Sequence, residues 1–245
     1  MKPALFLSDL HLAPAQRASV AAFHRFAAGP ARDASAVYVL GDLFDWWVGD
    51  DQLRSRFYRR IAEALRAVAD AGIPVHVARG NRDFLIGDGF VTAAGATLMQ
   101  EHTVIDLGGV PTLLTHGDEL CTDDVAYQRF RARTRTDAWR GDILRKPYVV
   151  RLGIAAALRL GSRRATANKA ERIMDVNPTA VADAFRAHGV GRIIHGHTHR
   201  PARHAHVVDG VPRERHVLAA WHGEGRYLAV DDTGVHEHVV GGEAR

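Results

Sequence analysis

A single cysteine, Cys121, among 245 residues leaves no partner for an intrachain disulfide, so the fold must hold without one and a reducing compartment suits it. Long hydrophobic runs are also missing. No stretch approaches the ~20 apolar residues that span a bilayer, which excludes a crossing but not contact with a membrane surface. The N-terminus runs directly into Pro3-Ala4-Leu5-Phe6-Leu7-Ser8 and lacks the basic-then-apolar order of an export signal. A cytoplasmic location is expected. Neither sign of charge dominates, since 32 Lys and Arg stand against 28 Asp and Glu, a net of +4. The sequence pI of 9.6 still favours anionic partners, whether phosphates, nucleic acid or acidic lipid. Repeats, low-complexity tracts and linker-like stretches are absent. With 47% hydrophobic and 24% charged residues, the composition predicts one compact domain over residues 1–245.

What the chain does have is a recurring local pattern. Short apolar runs at 4–7, 36–40, 73–78, 110–114 and 191–194 each end in a polar loop containing Gly or His, as buried strands do. Helical periodicity lies between the first three, clearest at 54–71, where Phe57, Ile61, Leu65 and Val68 recur on one face. After residue 200 the pattern changes to strands near 204–208, 215–220, 226–231 and 235–240, divided by turns such as Asp209-Gly210. This predicts an α/β fold in which the late strands form a second sheet packed on the first. Residues 123–188 are too long for an ordinary loop and read as helical, which predicts a lid inserted between two strands.

Five polar blocks directly follow apolar runs: Asp9-Leu10-His11, Gly41-Asp42-Leu43-Phe44-Asp45, Gly80-Asn81-Arg82-Asp83, His116-Gly117-Asp118 and Gly196-His197-Thr198-His199. Strand ends at one edge of a sheet converge, so residues distant in sequence can build one site there. Carboxylate, imidazole and amide donors together suit first-row divalent metals. Asp9 and His11, like His197 and His199, are separated by one residue, so an extended loop can turn each pair toward neighbouring ions. Asp42, alone in its block, is the natural bridge. Seven candidate ligands suggest two ions, and two ions ~3.5–4 Å apart activate water and offset phosphoryl charge during in-line displacement. Any one block alone reads as readily as a turn, because Asp and Asn favour loops and Gly supplies positive φ. Five in succession point to a phosphoesterase.

Together these blocks resemble the signature of the calcineurin-like metallophosphoesterases, over nearly the whole chain outside the lid. The resemblance implies a two-sheet sandwich flanked by helices. It also implies one metal on Asp9, His11, Asp42 and His199, and a second on Asp42, Asn81, His116 and His197. One departure is informative: Arg82 follows Asn81 where the superfamily commonly has a histidine that helps the leaving group. Arginine cannot donate a proton near neutral pH, but its fork holds phosphate oxygens. The leaving group should then need no protonation, which a pyrophosphate linkage satisfies. The plainer reading of Arg82 is a solvated loop cation.

Longer blocks narrow the resemblance: Gly41 to Trp47, Gly80 to Leu85, His116 to Asp124, Ile173 to Asn177 and His195 to Pro201 are similar to the family of UDP-2,3-diacylglucosamine diphosphatases. That resemblance implies cleavage of UDP-2,3-diacylglucosamine to UMP and 2,3-diacylglucosamine 1-phosphate in lipid A synthesis, by water attack on the uridine-linked phosphorus. Two manganese ions (Mn2+) are implied as cofactor, and a peripheral place on the cytoplasmic face of the inner membrane. Catalytic roles fall on Asn81, Arg82 and His197. Substrate contacts fall on Asn81, Arg82, Asp124, Ser162, Thr166, Lys169 and His197. No nucleic-acid or protein partner is implied.

Several residues carry two readings. Asp123 and Asp124 fit either substrate contact or the N-cap of a helix starting near Val125. Lys169 is a phosphate ligand or a solvated helix lysine. Residues 147–160, apolar almost all round but for Arg151 and Arg159, are buried lid or an acyl-chain wall with interfacial contact. Trp46 and Trp47 are core or substrate border, and Arg129, Arg131, Arg133 and Arg135 are a phosphate lure or a charged helix face. Cys121 reads as a small buried hydrophobe, and the remaining histidines, His102 among them, as structural. A nuclease of the same superfamily would want a basic groove with stacking aromatics instead of an apolar insertion.

Overall fold

The computed structural model describes residues 2–167 and 175–240, with side chains of 162–167 left aside. Strands β1 (Ala4–Leu7), β2 (Ala36–Leu40), β3 (Val75–Ala78) and β4 (Thr97–Leu98) lie parallel, joined by helices α1 (Arg17–Ala28), α2 (Arg56–Asp70) and α3 (Asp88–Ala94). β1 is buried along its length, as a strand covered on both faces must be. Leu5 and Leu7 turn to the helices, meeting Phe23, Phe26, Ile61 and Phe90, while Ala4 and Phe6 turn the other way. α2 forms where the periodicity predicts it, with Ile61, Leu65 and Val68 buried and Phe57 half-buried.

A second sheet runs β5 (Thr103–Leu107), β6 (Val110–Leu114), β7 (Arg192–His195), β9 (Val211–Val217) and β8 (Ala202–Val208). Phe6, Leu40 and Val230 from the first sheet pack with Leu114 and Ile194 from the second, so the sheets are face to face. The expected two-sheet α/β sandwich is present, but the late strands divide differently. β10 (Arg226–Asp231) and β11 (Gly234–Val239) return to the first sheet beside β1, and only β8 and β9 join the second. Val230 fills the layer between the sheets and Ala229 the helix-facing core, a two-sided burial that places β10 inside the first sheet.

The insertion contains α4 (Val125–Thr134), α5 (Asp137–Leu144), α6 (Tyr148–Ala167) and α7 (Pro178–His188). α7 belongs to the body: Val181 and Phe185 pack on Leu113, Ile193 and Val208 of the second sheet. Its ends are written in the sequence. The Asn177 side chain accepts from the backbone N–H groups of Thr179 and Ala180, Pro178 starts the helix, and Gly189 ends it at φ 61°. No helix among the described residues is long and apolar enough to cross a membrane.

Candidate metal centre

The five polar blocks leave the C-terminal ends of β1, β2, β3, β6 and β7, drawn from both sheets. The first two loops run side by side, with His11 N–H donating to Asp42 C=O at 2.9 Å and Leu12 N–H to Leu43 C=O at 2.9 Å. Neither Asp9-Leu10-His11 nor His197-Thr198-His199 is extended, contrary to the sequence expectation. Asp9, His11, Asp42, His197 and His199 all have positive φ, between 48° and 67°; among the described residues the only other non-glycine so placed is Asp209 in a hairpin. Left-handed backbone costs a non-glycine residue ~1 kcal/mol or more. Five such residues at one strand edge mark a site whose geometry is held by its surroundings.

Those surroundings are close. A Cβ on Gly80 would lie 2.1 Å from Asp42 Oδ1, and one on Gly196 would lie 2.2 Å from Asp9 Oδ2. Asp83 is fully buried and accepts from Gly80 N–H at 2.8 Å, Asp42 N–H at 3.2 Å and Phe44 N–H at 3.3 Å, tying the β3 loop to the β2 loop. Asp9 Oδ2 accepts from His197 N–H at 2.8 Å, and Asp42 Oδ1 from Arg82 N–H at 2.8 Å. His116 Nδ1 lies 2.9 Å from Leu40 C=O, which leaves Nε2 toward the cluster.

All seven expected ligands are gathered there. Asp9, His11 and His199 form one group of donor atoms, and Asp9, Asp42 and His116 another. His11 and His199 Nε2 atoms are 3.2 Å apart, and His199 Nε2 is 3.3 Å from Asp9 Oδ1. Asn81 Oδ1 sits between His116 Nε2 at 3.0 Å and His197 Nδ1 at 3.1 Å. Burial alone would raise the Asp9 carboxyl, yet the surrounding His199, His116 and His11 imidazoles hold it well below the usual carboxylate range. Burial lifts Asp42 to about 6, and it lowers His11 and His197 to about 4. His116 is buried too, but the Asp42 and Asp9 carboxylates lift it to about 9. The donor set fits divalent cations: His11 Nδ1 is buried without a hydrogen-bond partner among the described residues, and the imidazoles crowd nitrogen against nitrogen.

A cavity of about 680 Å³ opens from this cluster under α4, α5 and α6. Asn81, Arg82, His197 and His199 line its floor; Phe84, Phe130, Trp139, Ile143, Ile154 and Leu158 are among its apolar walls. Arg82 is fixed through its main chain, and its guanidinium has no hydrogen bond among the described residues. Asp124 caps α4, its carboxylate accepting from Tyr127 N–H at 3.1 Å, and it also lines the cavity. Asp123 is not that cap; it accepts from Asn177 Nδ2 at 2.8 Å. Trp47 is buried in the core, stacked 4.8 Å from Phe44, and Trp46 is half-buried; both also line the cavity. Cys121 is buried as expected, its thiol pushed up to about 12 by burial. Lys169 and the side chains of Ser162 and Thr166 lie outside the described residues.

Four arginines of the lid are anchors, whereas Arg129 and Arg133 lie exposed on the helix face. Arg131 Nε and Arg135 Nη2 both donate to buried Asp118 Oδ2 at 3.0 Å, joined there by the Tyr127 hydroxyl. Tyr127 also lies over His197, ring centroids 6.0 Å apart. On α6, Arg151 donates to Val48 C=O and the Asp51 carboxylate, and Arg159 to the Asp45 carboxylate. Sequence reasoning placed Asp83 and Asp118 in the polar blocks without a role and missed Tyr127. The available signal was the four-residue spacing of Arg131 and Arg135, which puts both on one face of a helix.

A family model described as calcineurin-like phosphoesterase matches residues 2–201. A UDP-2,3-diacylglucosamine hydrolase of Klebsiella pneumoniae is 47% identical over 226 residues, 92% of this chain and 94% of that protein. The enzyme of the same name from Escherichia coli K12 is 46% identical over the same shares. Among solved structures, Vps29 of Entamoeba histolytica complexed with zinc aligns over 99% of this chain and 96% of its own, at 16% identity and a TM-score of 0.48. With the family model spanning the strands and loops that build the cluster, the chain belongs to the calcineurin-like phosphoesterases.

Proposed function

We propose that this chain hydrolyses the pyrophosphate of UDP-2,3-diacylglucosamine, releasing UMP and 2,3-diacylglucosamine 1-phosphate. One observation carries the reading: the candidate metal cluster and the unpaired Arg82 guanidinium share a single cavity with an apolar chamber, in a chain 47% identical to an enzyme named for this substrate. Two manganese ions are proposed, one held by Asp9, His11, Asp42 and His199, the other by Asp42, Asn81, His116 and His197. When bound they supply Lewis-acid activation of water and of the phosphoryl oxygens.

The chain's own groups then divide the work. His116 Nε2 and His197 Nδ1 converge within 3.1 Å of Asn81 Oδ1, where the second ion would be held. Arg82 presents its fork to the phosphate oxygens and stabilises charge without giving up a proton, which a departing phosphate monoester does not require. The apolar walls take the acyl chains, and Asp124, Ser162, Thr166 and Lys169 are proposed to hold the glucosamine phosphate. On α6 the exposed Val149, Val150 and Leu160 support peripheral contact with the cytoplasmic face of a membrane, where such a substrate resides.

The test offers the manganese-loaded protein UDP-2,3-diacylglucosamine, its monoacyl analogue, bis-p-nitrophenyl phosphate and a cyclic nucleotide, with products identified by mass. Selective UMP release from the diacyl substrate is expected, and Asp42→Ala should lose both turnover and bound metal. A higher kcat/KM on the cyclic nucleotide or the plain diester would replace this reading with another phosphodiesterase.

A further inference from the structure

Behind the loop that carries His197 and His199 lies a second, smaller cavity of about 200 Å³, room for roughly six waters at ~30 Å³ each. Thr198 and Arg200 line both this cavity and the large one, so a single loop separates them. Pro201, Ala202 and Val217 give it an apolar wall. Asp175, Thr198, Arg200, His204 and Arg215 bring hydroxyl, carboxylate, imidazole and guanidinium groups to one small space. Among the described residues Thr198 Oγ1 is buried with no hydrogen-bond partner. Arg215 is 6% exposed, yet among those residues its bonds go to the imidazoles of His195 at 2.9 Å and His206 at 3.4 Å, and none to a carboxylate. A buried guanidinium without a carboxylate and a buried hydroxyl without a partner are costly unless something polar completes them. At the rim, Asp175 Oδ2 accepts from Arg200 Nη1 at 2.8 Å.

We propose that this second cavity is the nucleoside subsite, receiving the uridine half of the substrate while the lid chamber receives the acylated half. The inference rests on the proposed diphosphatase reading. The substrate has two chemically unlike ends on either side of the phosphates, and the protein has two cavities meeting at the metal loop, the smaller of which gathers five polar side chains. Asp175 Oδ1 also accepts from Val176 N–H at 2.8 Å, and each carboxylate oxygen keeps a second lone pair for a ribose hydroxyl, while Arg200 beside it carries the charge to meet the uridine phosphate. Thr198 Oγ1, His204 and Arg215 supply donors and acceptors for the edge of a pyrimidine.

The test titrates UMP, ribose 5-phosphate and inorganic phosphate separately into the manganese-loaded protein by calorimetry. Variants are Asp175→Asn and His204→Ala, each checked by circular dichroism and metal content. UMP is expected to bind at least tenfold more tightly than inorganic phosphate. Each substitution should reduce that advantage about tenfold while phosphate affinity is retained. Equal affinities for UMP and phosphate in the wild type would overturn the subsite, as would variants that fold, hold metal and bind UMP as the wild type does. If His204→Ala alone is inert while Asp175→Asn lowers affinity for UMP and ribose 5-phosphate equally, the cavity is a ribose site and the base assignment falls. Because binding is read without turnover, an outcome here is separable from failure to hydrolyse the diacyl substrate.

Discussion

Arg82 and His102 show how a residue's role follows from its partners. The main chain of Arg82 is held by Asp42 and Trp47, whereas its guanidinium is unengaged beside the cluster. Arg82→Ala should therefore keep its manganese, read by elemental analysis, while kcat falls on the order of a hundredfold, the scale of losing one preorganised donor to developing charge. Arg82→Lys should recover little, having charge without the fork. A wild-type kcat in Arg82→Ala would return the residue to the surface. His102, in contrast, is engaged away from the cluster: its Nε2 is 3.4 Å from Glu119 Oε1, and Glu119 raises its pKa. A raised folded-state pKa contributes stability that is present below the unfolded value of about 6.5 and lost as pH rises through the folded one. The melting temperature of His102→Ala should fall below wild type at pH 5.5 and converge with it by pH 9, with turnover kept throughout. A gap independent of pH would show that the ring acts only by packing.

Among the elements, α6 is the one whose sequence hides its sidedness. Apolar almost all round, residues 147–160 gave no face to choose, because the choice is made by ion pairs with distant loops: Arg151 with Asp51, and Arg159 with Asp45. Once those are made, Ile154, Ala155 and Leu158 line the cavity, Val149 and Val150 face outward, and Leu152 is half-buried away from the cavity. Leu158→Asn should raise KM for the diacyl substrate roughly tenfold or more, from ~1–3 kcal/mol of lost apolar contact, with less effect on bis-p-nitrophenyl phosphate. Leu152→Asn should affect both substrates alike. Equal losses at Leu158, with a lowered melting temperature, would make α6 ordinary core. Strands β1, β2, β3, β6 and β7 were legible because continuous apolar runs ended in Gly- or His-bearing blocks, whereas the two-residue β4 was too short to leave a run. β5 was not, since it is an edge strand whose Val104 is 46% exposed and whose apolar signal is correspondingly weak. The ligand residues were legible as types, but their left-handed backbone was not, because glycine neighbours and buried carboxylates such as Asp83 impose it across loops far apart in sequence.

For the molecule as a whole, an apolar strip on the outside of the lid has to be reconciled with a chain that has no membrane-spanning helix among its described residues. Val149 is 72% exposed, and Val150 and Leu160 are also open to solvent on the same helix. The protein should co-sediment with vesicles containing acidic lipid, and the double variant Val149→Asp, Val150→Asp should do so several-fold less. Unchanged co-sedimentation would place membrane contact elsewhere on the surface.

The clamp on Asp118 bears on how the lid yields. Tyr127 and Arg131 of α4, with Arg135 at its C-terminal cap, converge on a carboxylate two residues from His116, so α4 cannot swing away without disturbing the loop that carries a candidate ligand. α4 and that loop should then open as one cooperative unit, and their amides should exchange with deuterium at a common slow rate. α6, tied at two points to loops after β2, has its own latches and can exchange faster. A bulky two-chain lipid would be admitted by α6 parting from the body while α4 stays in place, which makes the catalytic loop insensitive to whether the chamber is empty or filled.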